Sequence, residues 1–479
     1  MATHKNTIHI PFLLEKKDVV LVKPAKPTPS EVLSFSTIDN DPNLEIICQT
    51  IYAYKAKRFS SSDDNGHDLA SSNGKTHDLD SCDPASVISD ALSRVLVYYY
   101  PLAGKLKRHS DGELRLNCNA AGVPFLVATA NCELSSLCYL DGITVELAKP
   151  FVFDWPGDGG DGRHPLVLQV TKFSCGGFTI GMGISHSVCD GFGAAQFFRA
   201  LAELASGKSE PTVKPVWERE RLVGTPRKTP FQIPIDEASL ATSPHLPPTE
   251  IVHDCFNVNS ESIKRLKTSL MKQCGDEAPK EGFTTIEALS AYVWRSRFRA
   301  LELNSDGTTL FSMAVGYRRL LNPPLPDGYY GNAFGPANAT TMGKDLNEGP
   351  LSRVSKLIKE SKKIACSSDN IWNSIDMLES MRRQNIKFET NDATVVVTDW
   401  RRLGLVEEVD FGWKEPVNMI PVPWNMFDYV GLCIFTSPSS LDPAMKGGVR
   451  VLVSLPAAAI PKFKEEMNAL SLGDDKALA

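Results

Sequence analysis

The chain has 479 residues, 42% of them hydrophobic and 23% charged, an ordinary globular composition with apolar material for one or two large cores. Its net charge of −6 excludes the basic field that non-specific binding to nucleic acid or an anionic membrane needs, and no apolar run approaches the ~20 residues that span a bilayer. Eleven cysteines, scattered without C-x-x-C or zinc-ligand spacing, read as reduced and mostly buried thiols of a cytoplasmic protein that holds no metal.

Met1 to Lys17 mixes charges with a short apolar patch and has no signal-peptide design. Ser60 to Asp80 is almost devoid of apolar residues and reads as a surface loop. Asp83-Pro84 then sets an N-cap and a first-turn proline, ahead of Val87, Ile88, Ala91, Leu92, Val95 and Leu96 at helical spacing. Leu114, Leu116 and Cys118 alternate as in a strand. Leu166–Phe173 and Phe178–Ile184 read as two strands joined at Gly176-Gly177, and a helix is expected over Phe192–Ala205 with its stop at Gly207. Pro211 to Glu250 is rich in proline and charge. Beyond it come a strand near Ile251, a basic helix around Ile263–Leu270, and a capping box at Thr284-Thr285-Ile286-Glu287 opening a helix that runs to about Leu301. This order predicts an α/β protein of two similar-sized domains with mixed sheets. They are an N-terminal domain 1–210, a crossover linker 211–250 and a C-terminal domain 251–479.

His186 and Asp190 stand where the second of the paired strands ends and the next helix begins, in Ile184-Ser185-His186-Ser187-Val188-Cys189-Asp190-Gly191. The spacing puts His186 at a cleft edge and Asp190 at a helix N-cap. Two readings stay open: a catalytic base with a nearby carboxylate, or a structural histidine beside a helix cap. Ser185 and Ser187 flank the histidine, but neither lies in the G-x-S-x-G elbow of a serine nucleophile.

H-x-x-x-D-G before a helix, together with Asp410-Phe411-Gly412-Trp413, resembles the two signatures of the plant BAHD acyl-CoA-dependent acyltransferases. Asn322-Pro323-Pro324-Leu325-Pro326-Asp327-Gly328-Tyr329-Tyr330-Gly331-Asn332 and Thr398-Asp399-Trp400 are similar to two further segments of that family. Lys414 departs from it, standing where the family usually has a glycine that permits positive φ. Leu14-Glu15-Lys16-Lys17, Ser36 to Pro42, Trp217 to Gly224 and Asp410 to Asn418 resemble the spermidine hydroxycinnamoyl transferases.

The resemblance implies a chloramphenicol-acetyltransferase-like fold with the active site in a tunnel at the domain interface. It implies transfer of a hydroxycinnamoyl-type group from acyl-CoA to a polyamine such as spermidine. The acceptor attacks directly, with His186 as general base, in a monomer with no permanently bound cofactor. Asp190 and Gly191 are then structural, Asp190 pairing with Arg318 rather than His186, and Asp410, Phe411, Gly412 and Trp413 form a structural loop. Thr398 and Trp400 are implied as oxyanion donors, with core packing as the other reading of Trp400. Lys264, Arg265 and Lys267, on one short helix, and Thr284 and Thr285 match the CoA-binding segments, against the plainer reading of a solvated basic face. Asp41, Asp154 and Glu415 are candidate carboxylates for a polyamine. Two alternatives remain: an O-acyltransferase for a plant alcohol or alkaloid, and an inactive paralogue that serves as a binding protein.

Overall fold

A computed structural model of the protein describes residues 12–56, 83–156, 159–226, 236–247, 250–384, 386, 391, 393–422 and 431–473. The polar stretch Ser60–Asp80 lies outside them.

Two mixed sheets dominate. The first runs laterally as Leu14–Lys16, Val123–Ala130, Leu166–Phe173, Phe178–Ser185, Ile47–Tyr54 and Asn418–Val422, with Val20–Val22 also on Val123–Ala130. The second runs as Ile251–Val258, Val449–Pro456, Leu432–Thr436, Thr394–Asp399, Thr308–Gly316 and Phe334–Met342. Strands Val32–Ser34, Leu114–Asn117 and Lys105–Arg108 form a small third sheet.

Local chemistry explains the elements around the site. Asp83 accepts from the Ser86 N–H and Pro84 occupies the first turn of helix Pro84–Val95, whose buried stripe is Ala85, Ile88, Ala91, Leu92 and Val95. This helix packs beside helix Gly191–Ala205. Strand Phe178–Ser185 is buried at every position because both sheet faces are covered there, Phe178, Ile180, Met182 and Ile184 by the first core and Gly181 by Phe151 and Val152, and its hairpin partner returns through Gly176 at φ +79°. It ends one residue later than the periodicity suggests, at Ser185, so His186 is the first residue beyond the sheet.

In the second half, Thr284 and Glu287 close the capping box and helix Thr285–Ala300 follows. It is buried on nearly every side, against helices Ser260–Cys274, Leu351–Ala365 and Ile460–Leu472, so it shows little amphipathic pattern. The halves are not closed units. Strand Asn418–Val422 crosses over and pairs antiparallel with Ile47–Tyr54 at the edge of the first sheet. Leu405, Val409, Phe411 and Met419 join the first core, with Tyr52, Tyr54, Leu92 and Phe198. Between the sheets lies a small apolar cluster: Leu432, Ile434, Val396 and Leu452 on one side, Ile46 and Cys48 on the other, with Trp400 against them. Among the described residues no helix is long and apolar enough to cross a membrane.

Candidate active site

The loop carrying His186 is pinned to the segment that leads into strand Ile47–Tyr54. The His186 N–H donates to the Ile46 carbonyl at 2.9 Å, and Ser187 Oγ to the Leu44 carbonyl at 3.1 Å. The His186 ring packs near Phe334, and its Nδ1 lies 3.1 Å from Asn332 Oδ1. The Asn332 amide nitrogen donates to the His186 carbonyl and to Asp39 Oδ1, each at 2.7 Å. With two acceptors facing the nitrogen, the amide cannot be flipped, so Oδ1 is the end that meets the imidazole. The neutral His186 ring therefore carries its proton on Nδ1 and has its lone pair on Nε2.

Asp39 is fully buried. It accepts from Ser36 N–H and Oγ, from the Asn332 N–H, and from Arg219 Nη1 at 3.0 Å to each oxygen. Arg219 is buried too; its Nη2 donates to the Val188 carbonyl, and its guanidinium lies 4.2 Å from the Trp217 ring and 5.0 Å from that of Tyr330. Each charge is affordable at this depth because the other neutralises it. A Cβ at Gly331 would run into that guanidinium, and one at Gly193 into the Tyr330 carbonyl, so both close approaches require glycine. Asp39, Arg219 and Asn332 were not singled out from sequence. Their only signal was membership of three separate motif segments, one of them inside 211–250.

Asp190 makes no hydrogen bond to His186 and has other partners among the described residues. It caps helix Gly191–Ala205 through the Gly193 N–H (2.9 Å), accepts the Ala333 N–H (3.2 Å), and takes both terminal nitrogens of Arg318 at 2.7 Å. Four donors saturate the carboxylate and leave it nothing to offer the imidazole. Burial pushes its carboxyl up, but the Arg318 guanidinium and the two N–H groups outweigh burial and hold it below the usual carboxylate range. Arg318 also donates to the Gly331 carbonyl at 2.6 Å and stacks on Phe192. Gly191 opens the helix against the Leu403 side chain.

Thr398 is the penultimate residue of the Thr394–Asp399 strand, and Trp400 follows the strand, touching both the first core and the inter-sheet cluster. Its main-chain N–H donates to the Phe435 carbonyl at 2.8 Å; among the described residues neither the Trp400 indole N–H nor the Thr398 hydroxyl has a hydrogen-bond partner. Lys264, Arg265 and Lys267 lie on a longer helix than their apolar spacing suggested, Ser260–Cys274, capped by Asn259. Lys264 is exposed, while Arg265 donates to Ser262 Oγ and the Ser471 carbonyl. Burial, then the like charges of Arg401 and Arg402, push the Lys267 ammonium down. Thr284 spends its hydroxyl on the helix cap, and Thr285 is the first helical residue. Of the candidate carboxylates, Asp154 accepts from Gln49 Nε2 at 2.8 Å, Glu415 accepts the Glu408 N–H at 3.2 Å, and Asp41 lies within electrostatic reach of His186.

The Asp410–Trp413 loop fastens the second half to the first. Asp410 Oδ1 accepts the Gly412 N–H at 2.7 Å, and its carbonyl accepts from Ser206 Oγ at 2.7 Å. Phe411 is fully buried between Tyr54 and Phe198, and Trp413 meets Phe178 edge-on. Lys414 adopts φ +68°. Lys414→Gly is expected to raise the thermal midpoint or leave it unchanged, because relief of about 1 kcal/mol of positive-φ strain offsets the chain entropy of glycine. A clear drop in a melting curve would mean that the lysine side chain holds the loop.

Comparison with known proteins gives the family and the fold. The Transferase family matches residues 12–470. Spermidine coumaroyl-CoA acyltransferase of Arabidopsis thaliana is 45% identical over 98% of this chain and 97% of its own length. Spermidine sinapoyl-CoA acyltransferase of the same plant is 42% identical over 96% and 98%. The crystal structure of vinorine synthase superposes with a TM-score of 0.70 at 21% identity, covering 96% of this chain and 98% of that one, and so shares the fold. With two mixed sheets meeting at His186, a match along nearly its whole length and these two relatives, the chain belongs to the Transferase family, as an acyl-CoA-dependent acyltransferase of the BAHD group.

Proposed function

We propose that the protein transfers a hydroxycinnamoyl-type acyl group from acyl-CoA to an amine of a polyamine such as spermidine, with His186 as general base. The observation that carries the mechanism is the Asn332 amide, which holds the proton on Nδ1 and leaves Nε2 free to accept one. The spermidine acyltransferases at 45% and 42% identity support the acceptor class.

An aliphatic amine resembles lysine, with a pKa near ~10.4, and arrives as the ammonium. Entry into a dry site favours the neutral form, and one proton leaves to solvent. The amine nitrogen then attacks the thioester carbonyl carbon, and a C–N bond forms. The Trp400 indole N–H and Thr398 hydroxyl, unengaged among the described residues, supply the donors for the oxyanion. His186 Nε2 takes the second proton and returns it to the departing CoA sulfur as the C–S bond breaks. The products are amide and free CoA, with no acyl-enzyme. Lys267 with Arg401 and Arg402 supplies positive charge for the CoA phosphates, with Lys264 exposed on the same helix. Thr284 and Thr285 flank the pantetheine arm. The enzyme acts as a cytoplasmic monomer on small molecules alone, with acyl-CoA as co-substrate rather than a bound cofactor.

A free-thiol release assay with spermidine and simple alcohols, run across ionic strength, tests the acceptor. The apparent KM for spermidine is expected to rise with salt, as the Debye length shrinks to ~8 Å at physiological ionic strength, beyond any change in KM for acyl-CoA. A salt-independent KM together with faster turnover of alcohols would replace the polyamine with a neutral acceptor.

A further inference from the structure

Three carboxylates on the segments that build the site come with cations, and a fourth does not. Asp39 has Arg219, Asp190 has Arg318 and Asp399 has Arg401. Asp41, two residues beyond Asp39, has none among the described residues. Its N–H donates to the Ile38 carbonyl, and Pro42 begins the single turn Pro42–Leu44. One oxygen, Oδ1, accepts the Asn43 N–H and Asn43 Nδ2, each at 2.9 Å. No donor among the described residues reaches the other oxygen.

This residue lies on the wall of the catalytic loop. Ile46 and Leu44, just beyond it, take the hydrogen bonds of His186 and Ser187, and Asp41 lies within electrostatic reach of His186. Asp41 is partly buried, and burial pushes its carboxyl up against the pull of the Asn43 bonds and His186. A partly buried carboxylate with no cation of its own carries an uncompensated desolvation cost, which a cationic ligand would offset.

We propose that Asp41 seats the second ammonium group of the acceptor. The amine under attack is neutral beside His186. Its neighbour, a propylene or butylene spacer away in a polyamine, keeps its charge and binds the open oxygen of Asp41. The inference rests on the polyamine reading and deepens it: Asp41 makes the site selective for diamines and polyamines over monoamines.

The test compares spermidine with a monoamine of similar length, on wild type, Asp41→Asn and Asp154→Asn, with one acyl-CoA. Asparagine caps a turn as well as aspartate does, so Asp41→Asn removes the charge and keeps the turn, and a thermal melt checks that the fold survives. Asp41→Asn is expected to raise KM for spermidine about ten- to a hundredfold more than KM for the monoamine, the scale of a hydrogen bond to a charged group. Asp154→Asn is expected to treat the two acceptors alike. Equal changes for both acceptors in Asp41→Asn, or the selective loss in Asp154→Asn instead, overturn the assignment while the polyamine reading stands. A wild type that does not acylate spermidine overturns the polyamine reading itself, and this inference with it.

Discussion

His186→Ala is expected to lower kcat by about 10²–10⁴, the usual worth of a positioned general base, with little change in KM for acyl-CoA. Two carboxylates of the neighbouring loops are already engaged. Asp190 already holds four donors, and Asp39 is buried under Arg219, Ser36 and Asn332. The flanking Ser187 hydroxyl donates to the Leu44 carbonyl. Removing the ring leaves the proposed oxyanion donors and CoA-binding residues in place, so the loss is expected on turnover rather than on binding. Steady-state kinetics with varied acyl-CoA decides the matter; turnover within a few-fold of wild type assigns the proton transfer to another group.

Asp190→Asn should act mainly on stability. It leaves Arg318 a poorer partner in a largely buried site, and breaking such a pair costs about 3–5 kcal/mol. The amide must also turn a hydrogen-bearing nitrogen towards a guanidinium or a backbone N–H. The same interaction fixes a pH dependence. The carboxyl is held below its unfolded value of ~3.9, so its contribution is fully present above that pH and is lost as pH falls through the lower folded value. Denaturant midpoints of the wild type at falling pH, set beside those of the variant, report both effects. A variant as stable as wild type but inactive would move Asp190 from holding the loop to doing chemistry.

Much of the fold was legible because its signals are local. Asp83-Pro84, the Thr284–Glu287 capping box and the Gly176 turn each specify their element within a few residues, and the structure has all three. His186 at a strand end was legible for the same reason. What escaped was non-local. Strand Asn418–Val422 is short and contains Pro421, which suits a sheet edge, and nothing in its own residues says whose edge it joins. The Asp39–Arg219–Asn332 network draws on three segments far apart in the chain, each charge explicable only by the others. Helix Ser260–Cys274 outran its apolar pattern because Asn259 caps it well before the first apolar residue. Arg265 looked like one of a basic row, and it donates both to Ser262 Oγ on its own helix and to the Ser471 carbonyl at the other end of the second half.

The crossing strand has a consequence for how the chain is made. Ile47–Tyr54 emerges early from the ribosome, yet one of its two edges stays open until Asn418–Val422 has been synthesised. The pocket between Tyr54 and Phe198 likewise waits for Phe411. During most of translation the first half is therefore a sheet with a bare, apolar margin, the kind of surface that chaperones cover and that aggregates without them. The same geometry dictates where a chimaera between two such enzymes can be cut: residues 405–422 must come from the parent that supplies the N-terminal half.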